Sequence, residues 1–117
     1  MREIDVNVIT EQIRDLCIRA NEILPGDVAG RMGACKAAEP WAPAKETLGR
    51  LLTNMEIAAA EQLPICQDTG MCCVFLEVGQ DVRISGGDLY EAVHAGVRRG
   101  YAEGYLRKSI VGIRSGG

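Results

Sequence analysis

The chain predicts an α+β fold, mainly helical with a small β-hairpin or sheet. Three observations predict it. Apolar residues recur at steps of three and four through most of residues 6–62. A run rich in β-formers follows, Cys72-Cys73-Val74-Phe75-Leu76-Glu77-Val78. The helical period then returns after Gly86-Gly87-Asp88. Helices, a hairpin and another helix suit a helical layer on a small sheet.

The first helix is expected over about residues 6–24, where Ile9, Ile13, Leu16, Cys17, Ala20, Ile23 and Leu24 line one face. Pro25-Gly26-Asp27 ends it, and Asp27 is placed to cap a second helix over 28–38. That second helix is weakly apolar, and Gly30 and Gly33 are poor helix formers. Glu39-Pro40-Trp41-Ala42-Pro43 is a break. A strong helix follows over 44–62, with Leu48, Leu51, Leu52, Met55, Ile57, Ala58 and Ala59 on a broad apolar face. It stops before Pro64.

Residues 72–78 read as a buried strand. Gly79-Gln80-Asp81 reads as a turn and Val82-Arg83-Ile84 as the hairpin partner. The last helix is expected over 88–103, with Leu89, Val93, Val97 and Tyr101 along one face. Gly96, Gly100 and Gly104 form an adjoining stripe that would let another backbone approach closely; Gly104 is alternatively the helix end. Residues 105–111 read as extended. Ile110-Val111-Gly112-Ile113-Arg114-Ser115-Gly116-Gly117 reads as a cut end rather than a natural terminus.

Composition narrows the function classes. With 117 residues the chain is sized for one small domain, and 47% apolar residues allow a core. A net charge of −3 with mixed signs offers no basic footprint, so nucleic acid is not an expected partner. No apolar run reaches the roughly 18–20 residues of a membrane span. Met1-Arg2-Glu3-Ile4-Asp5 lacks the features of a signal peptide, so the expected location is cytoplasmic. The five cysteines form no CxxC pair, which argues against a zinc ribbon and for reduced thiols.

The chemistry concentrates in Pro64-Ile65-Cys66-Gln67-Asp68-Thr69-Gly70. Proline and glycine mark a loop, and a loop between elements is where reactive groups are often mounted. Cys66 is the first candidate for a reactive or metal-binding atom; the plain alternative is a buried, inert thiol. Gln67 and Asp68 favour a polar pocket, because an amide and a carboxylate are costly to bury without partners. Cys72 and Cys73 are adjacent and would point to opposite faces of a strand, which suits packing better than joint chelation. Cys17 and Cys35, on helices, have the same plain reading. His94, the only histidine, falls at the edge of the last helix's buried face with no ligand partner at suitable spacing. Arg98 and Arg99 read as a solvated face. Arg107 precedes an apolar extended run, where its guanidinium would suit bidentate pairing with a carboxylate.

Pro64 to Gly70 resembles the signature of the class I fumarate hydratases and L(+)-tartrate dehydratases, iron–sulfur hydro-lyases with an α region and a β region. The likeness runs through Leu16-Cys17-Ile18-Arg19-Ala20-Asn21, Leu24-Pro25-Gly26-Asp27-Val28 and Asn54-Met55-Glu56-Ile57-Ala58-Ala59-Ala60-Glu61. It continues through Phe75-Leu76-Glu77-Val78-Gly79-Gln80, Gly96-Val97-Arg98-Arg99-Gly100-Tyr101 and Glu103-Gly104-Tyr105-Leu106-Arg107-Lys108-Ser109. The resemblance implies reversible hydration or dehydration of a small dicarboxylate, fumarate/malate or tartrate/oxaloacetate. It implies a [4Fe-4S] cluster on three cysteines. Carried over, Cys66 matches the first cluster ligand, Gln67 and Asp68 match substrate contacts, and Arg107 matches an arginine that binds substrate carboxylate.

The same resemblance implies an incomplete part of a larger α/β domain. Residues 1–111 match the N-terminal part of the α region, and 112–117 form a divergent or truncated tail. The other two cluster cysteines, and the β region that supplies the general base, lie elsewhere. No catalytic residue is expected within this chain, which is expected to be inactive alone. Its expected partners are the β region or β subunit and further copies of itself in a homo-oligomer. The alternative is a truncated, non-catalytic paralogue that binds a dicarboxylate or a subunit. A weaker alternative is a thiol redox protein using Cys72 and Cys73.

Overall fold

The computed structural model describes residues 1–109. It contains β1 (Arg2–Asp5), α1 (Val6–Glu22), α2 (Gly26–Ala38), α3 (Ala42–Glu61), β2 (Val82–Ser85) and α4 (Leu89–Glu103). The architecture is mostly helical α+β with one two-stranded sheet, as expected. The tail 112–117 and the end of the expected extended stretch 105–111 lie outside the described residues. The chain divides into two compact units. One comprises Met1–Ile18 and the chain from Gln67 onward; the other is Arg19–Cys66.

In the first unit the sheet differs from the expected hairpin. β1 and β2 pair in parallel, with Ile4 opposite Ile84. The turn at Gly79 to Val82 does form, closed by the Val82 N–H on the Gly79 carbonyl at 3.1 Å. The segment before it, however, is not a strand and is not buried: Phe75 is 92% exposed. Strand propensity needs a partner to hydrogen-bond, and the partner of β2 is β1. β1 escapes sequence reading because Arg2-Glu3-Ile4-Asp5 is short, polar and exposed apart from Ile4.

α1 and α4 pack directly against each other, and the glycine stripe explains how. A Cβ at Gly96 would lie 2.7 Å from the Thr10 carbonyl and from the Ile13 Cβ. At Gly100 it would meet the Cys17 Cβ at 2.8 Å and the Arg14 carbonyl at 3.0 Å. The Thr10 hydroxyl donates across to the Ala92 carbonyl at 2.9 Å. The core is built on buried Ile13, Cys17 and Leu106, with Ile9, Cys72, Val93, Val97 and Tyr101 packed around them. Asp88 caps α4 by accepting from the Glu91 N–H at 3.0 Å.

Both readings of Gly104 hold: it approaches Ile18 and is the C-cap of α4. The left-handed residue is instead Tyr105, at φ 54°, and the Leu106 N–H closes on the Tyr101 carbonyl at 3.0 Å.

In the second unit α2 packs on α3. α2 begins at Gly26, two residues earlier than expected, so Asp27 lies inside it rather than capping it. Its carboxylate accepts from the neighbouring Val28 N–H at 2.9 Å. α3 begins at Ala42 and carries Pro43 in its first turn, where a missing N–H costs nothing. Ala58 is its buried residue, while Leu51 and Ile57 are exposed. The expected broad apolar face is thus only partly covered. Cys35 is also exposed, contrary to the packing role expected of it.

Candidate functional site

The loop after α3 is positioned from both of its ends. In the second unit, Gln62 turns left-handed at φ 55°, and the Leu63 N–H returns to the Ala58 carbonyl at 3.0 Å. The chain then runs to Ile65, whose backbone is held on both sides. Its N–H donates to the Asn21 carbonyl at 2.8 Å. Its carbonyl accepts from the Asn54 side-chain amide at 2.7 Å. Cys66 follows directly, exposed, on a bent backbone. The thiol is therefore not the buried group of the plain alternative. Asn54 was missed as a positioning residue; its one sequence signal is a polar, weakly helix-favouring side chain in mid-helix.

In the first unit the loop continues through Gln67 and Asp68, both exposed. Asp68 accepts from the Gly70 N–H at 3.1 Å, forming a tight polar turn. Gly70 takes φ +62°, a conformation that favours glycine. Thr69 is the buried member, 9% exposed. Its hydroxyl donates to the Arg107 carbonyl at 2.6 Å, and its own carbonyl accepts from the Tyr101 hydroxyl at 3.3 Å.

Thr69 therefore ties the loop to the backbone of Arg107, 38 residues away in sequence. The Ser109 N–H also donates to that carbonyl, at 3.1 Å. Arg107 itself is exposed. An amide, a carboxylate and a guanidinium are thus mounted on two segments that share one buried threonine.

The remaining candidates fall elsewhere. His94 is exposed. Arg99 is not simply solvated, because it pairs with Glu11 and Glu103. Arg14 joins the same group, reaching Glu103 at 3.0 Å and Glu11 at 3.2 Å. The hydrogen bond from Arg14 is the largest influence on the Glu103 carboxyl and, with the weaker bond from Arg99, holds it below its ordinary range against the opposing effect of burial. Cys17 and Cys72 lie together, with their sulfurs 3.7 Å apart, and Cys73 is exposed. Burial first, and the neighbouring Cys72 second, push the Cys17 thiol up to about 12. Burial likewise raises the Tyr101 hydroxyl.

Among the described residues no group of three or more His, Cys, Asp or Glu is set to hold a metal ion. Cys66 fits one position of a thiolate-bound cluster: it is exposed and its backbone is anchored on the preceding residue. Among the described residues no helix is long and apolar enough to cross a membrane.

A family profile described as fumarate hydratase (Fumerase) matches residues 10–114. A protein of Methanocaldococcus jannaschii provisionally named L(+)-tartrate dehydratase subunit alpha is 32% identical over 106 residues, covering 90% of this chain and 36% of that protein. The L(+)-tartrate dehydratase subunit alpha of Escherichia coli is 28% identical over 108 residues, covering 92% of this chain and 35% of its own length. The anaerobic class I fumarate hydratase of Escherichia coli is 45% identical over 60 residues, which is 51% of this chain and 11% of that enzyme. The chain thus spans about a third of the length of each of these tartrate dehydratase subunits.

Proposed function

This chain belongs to the fumarate hydratase family, and on that premise we propose that it carries the first part of the site of a hydro-lyase acting on a small dicarboxylate. The observation that carries the reading is the Thr69–Arg107 bond. It joins the segment bearing Gln67 and Asp68 to the segment bearing Arg107. The roles follow from the chemistry of each group. The Arg107 guanidinium pairs with a substrate carboxylate, in the planar geometry that arginine suits better than lysine. The Gln67 amide and Asp68 carboxylate hydrogen-bond the substrate's remaining oxygens and orient them.

Cys66 would hold one corner of a [4Fe-4S] cluster, with the other two thiolate ligands supplied from outside residues 1–109. When bound, such a cluster supplies a Lewis acid that polarises a substrate oxygen. The general base belongs to a β region or β subunit, consistent with relatives named as alpha subunits. The assembly in this reading also includes further copies of the chain, and the exposed Phe75, Leu76 and Val78 offer apolar surface for such contacts. Fumarate/malate and tartrate/oxaloacetate both present the carboxylates that this set of groups recognises.

The test is anaerobic reconstitution with iron and sulfide, followed by iron analysis and assays on fumarate, malate and tartrate. The 117-residue chain alone should form no stable four-iron cluster and show no turnover. Combined with the remaining two-thirds of an α subunit and with a β subunit, it should do both. In that assembly Cys66→Ala should abolish the cluster. Arg107→Lys should raise KM by about 10- to 100-fold, the scale of one lost charge-assisted contact, with the cluster retained. An active Cys66→Ala assembly, or an unchanged KM for Arg107→Lys, would overturn the assigned roles. Dicarboxylate binding by the chain with no cluster in any assembly would favour a binding module instead.

A further inference from the structure

We infer that Cys17 and Cys72 form a paired oxidation site, at which a peroxide oxidises Cys72 and Cys17 then converts the product to an intramolecular disulfide. The two residues lie 55 positions apart in sequence, yet their sulfurs are 3.7 Å apart. A disulfide bond is about 2.05 Å long, so the sulfurs must close by about 1.6 Å. One partner is fixed and the other has room to yield. Cys17 is buried on α1, wedged against Gly100 of α4. Cys72 lies in residues 71–78, whose backbone makes no hydrogen bond among the described residues.

Access sets the order of the steps. Cys72 is half-buried and lines a groove of about 330 Å³, together with Tyr101, Arg98 and Lys108. Cys17 is buried beside it, so the peroxide reaches Cys72 first. The Cys72 thiolate attacks one peroxide oxygen. The O–O bond breaks, an S–O bond forms, and the leaving hydroxide takes up a proton as water. The sulfur of Cys17 then attacks the sulfur of Cys72. The S–S bond forms, the S–O bond breaks, and the Cys17 proton leaves with the hydroxyl as a second water. Two thiols and one hydrogen peroxide thus give one disulfide and two waters.

The product would tie α1 to the chain two residues beyond Gly70. Together with the Thr69–Arg107 bond it would brace the segment from Thr69 to Cys72 at both ends. It uses neither Cys66 nor the vicinal Cys72–Cys73 pair, and it is independent of any cluster.

The test treats the reduced 117-residue chain with stoichiometric hydrogen peroxide, blocks remaining thiols with iodoacetamide and maps unreduced peptides by mass spectrometry. The expected product is a monomer containing a peptide pair joined through Cys17 and Cys72, about 2 Da lighter than its thiol forms. Dithiothreitol should restore the separate peptides. Cys17→Ser should instead leave a dimedone-reactive sulfenic acid at Cys72. A principal disulfide using Cys66, Cys35 or Cys73, a cross-linked dimer, or recovery of Cys17 and Cys72 as alkylated thiols would each overturn the inference. The unsubstituted chain alone decides the question if the variant fails to fold.

Discussion

Glu103 shows how one side chain connects two helices. It accepts from Arg14 of α1 at 3.0 Å and from Arg99 of its own helix at 3.3 Å. Arg99 also reaches back to Glu11 of α1. The carboxyl titrates lower in the folded chain than in the unfolded one. Its stabilising contribution is therefore present above the ordinary glutamate pKa of about 4.3 and is lost as pH falls through the lower folded value. The group is solvent-exposed, so salt should weaken the effect. Glu103→Gln should lower Tm at pH 7, and the two Tm curves should converge as the pH is taken below about 4. A Tm difference that persists unchanged at pH values below both the ordinary and the folded value would mean that the charge is not what matters. Cys17 has the opposite sign. Its raised value leaves its contribution intact below the ordinary thiol pKa of about 8.5, to be lost as pH rises toward about 12.

At the scale of elements, glycine has two meanings in this chain. On α4, Gly96 and Gly100 stand where α1 leaves no room for a Cβ. Gly100→Ala places a methyl 2.8 Å from the Cys17 Cβ and should cost about 1–3 kcal/mol, the scale of core overpacking. On α2, Gly30 and Gly33 have open space around the Cβ position. Gly33→Ala should gain about 0.5–1 kcal/mol from helix propensity alone. Urea melts of the two variants should move in opposite directions, and a stabilised Gly100→Ala would contradict the close α1–α4 contact. The glycine stripe of α4 was legible from its four-residue spacing. Its partner helix was not, because spacing along one helix carries no record of which surface it meets.

For the whole molecule, the most informative region is the apolar stretch that does not become a strand. Residues 71–78 have strong β-formers, yet their backbone has no hydrogen-bond partner among the described residues. Their amides should exchange with solvent deuterium far faster than those of α1 and α4. Protection of 71–78 equal to that of the helices would show that the segment is paired in solution. β2 has the weaker strand signal and is nevertheless in the sheet, because β1 lies alongside it in register.

The helices, their approximate ends and the loop that carries Cys66, Gln67 and Asp68 were legible in the amino-acid order alone. These depend on periodicity, proline and glycine placement and local turn chemistry, all of which act between near neighbours. The family likeness was also legible there, because a signature is a local string. Packing of the folded chain set the burial of Thr69 on the carbonyl of Arg107 and brought Cys72 against Cys17. It also decided that the sheet is parallel and that Arg99 belongs to an ion-pair group. Each of these joins residues at least 38 positions apart in sequence. Such pairings are chosen by packing the assembled elements, and no residue's immediate neighbours encode them.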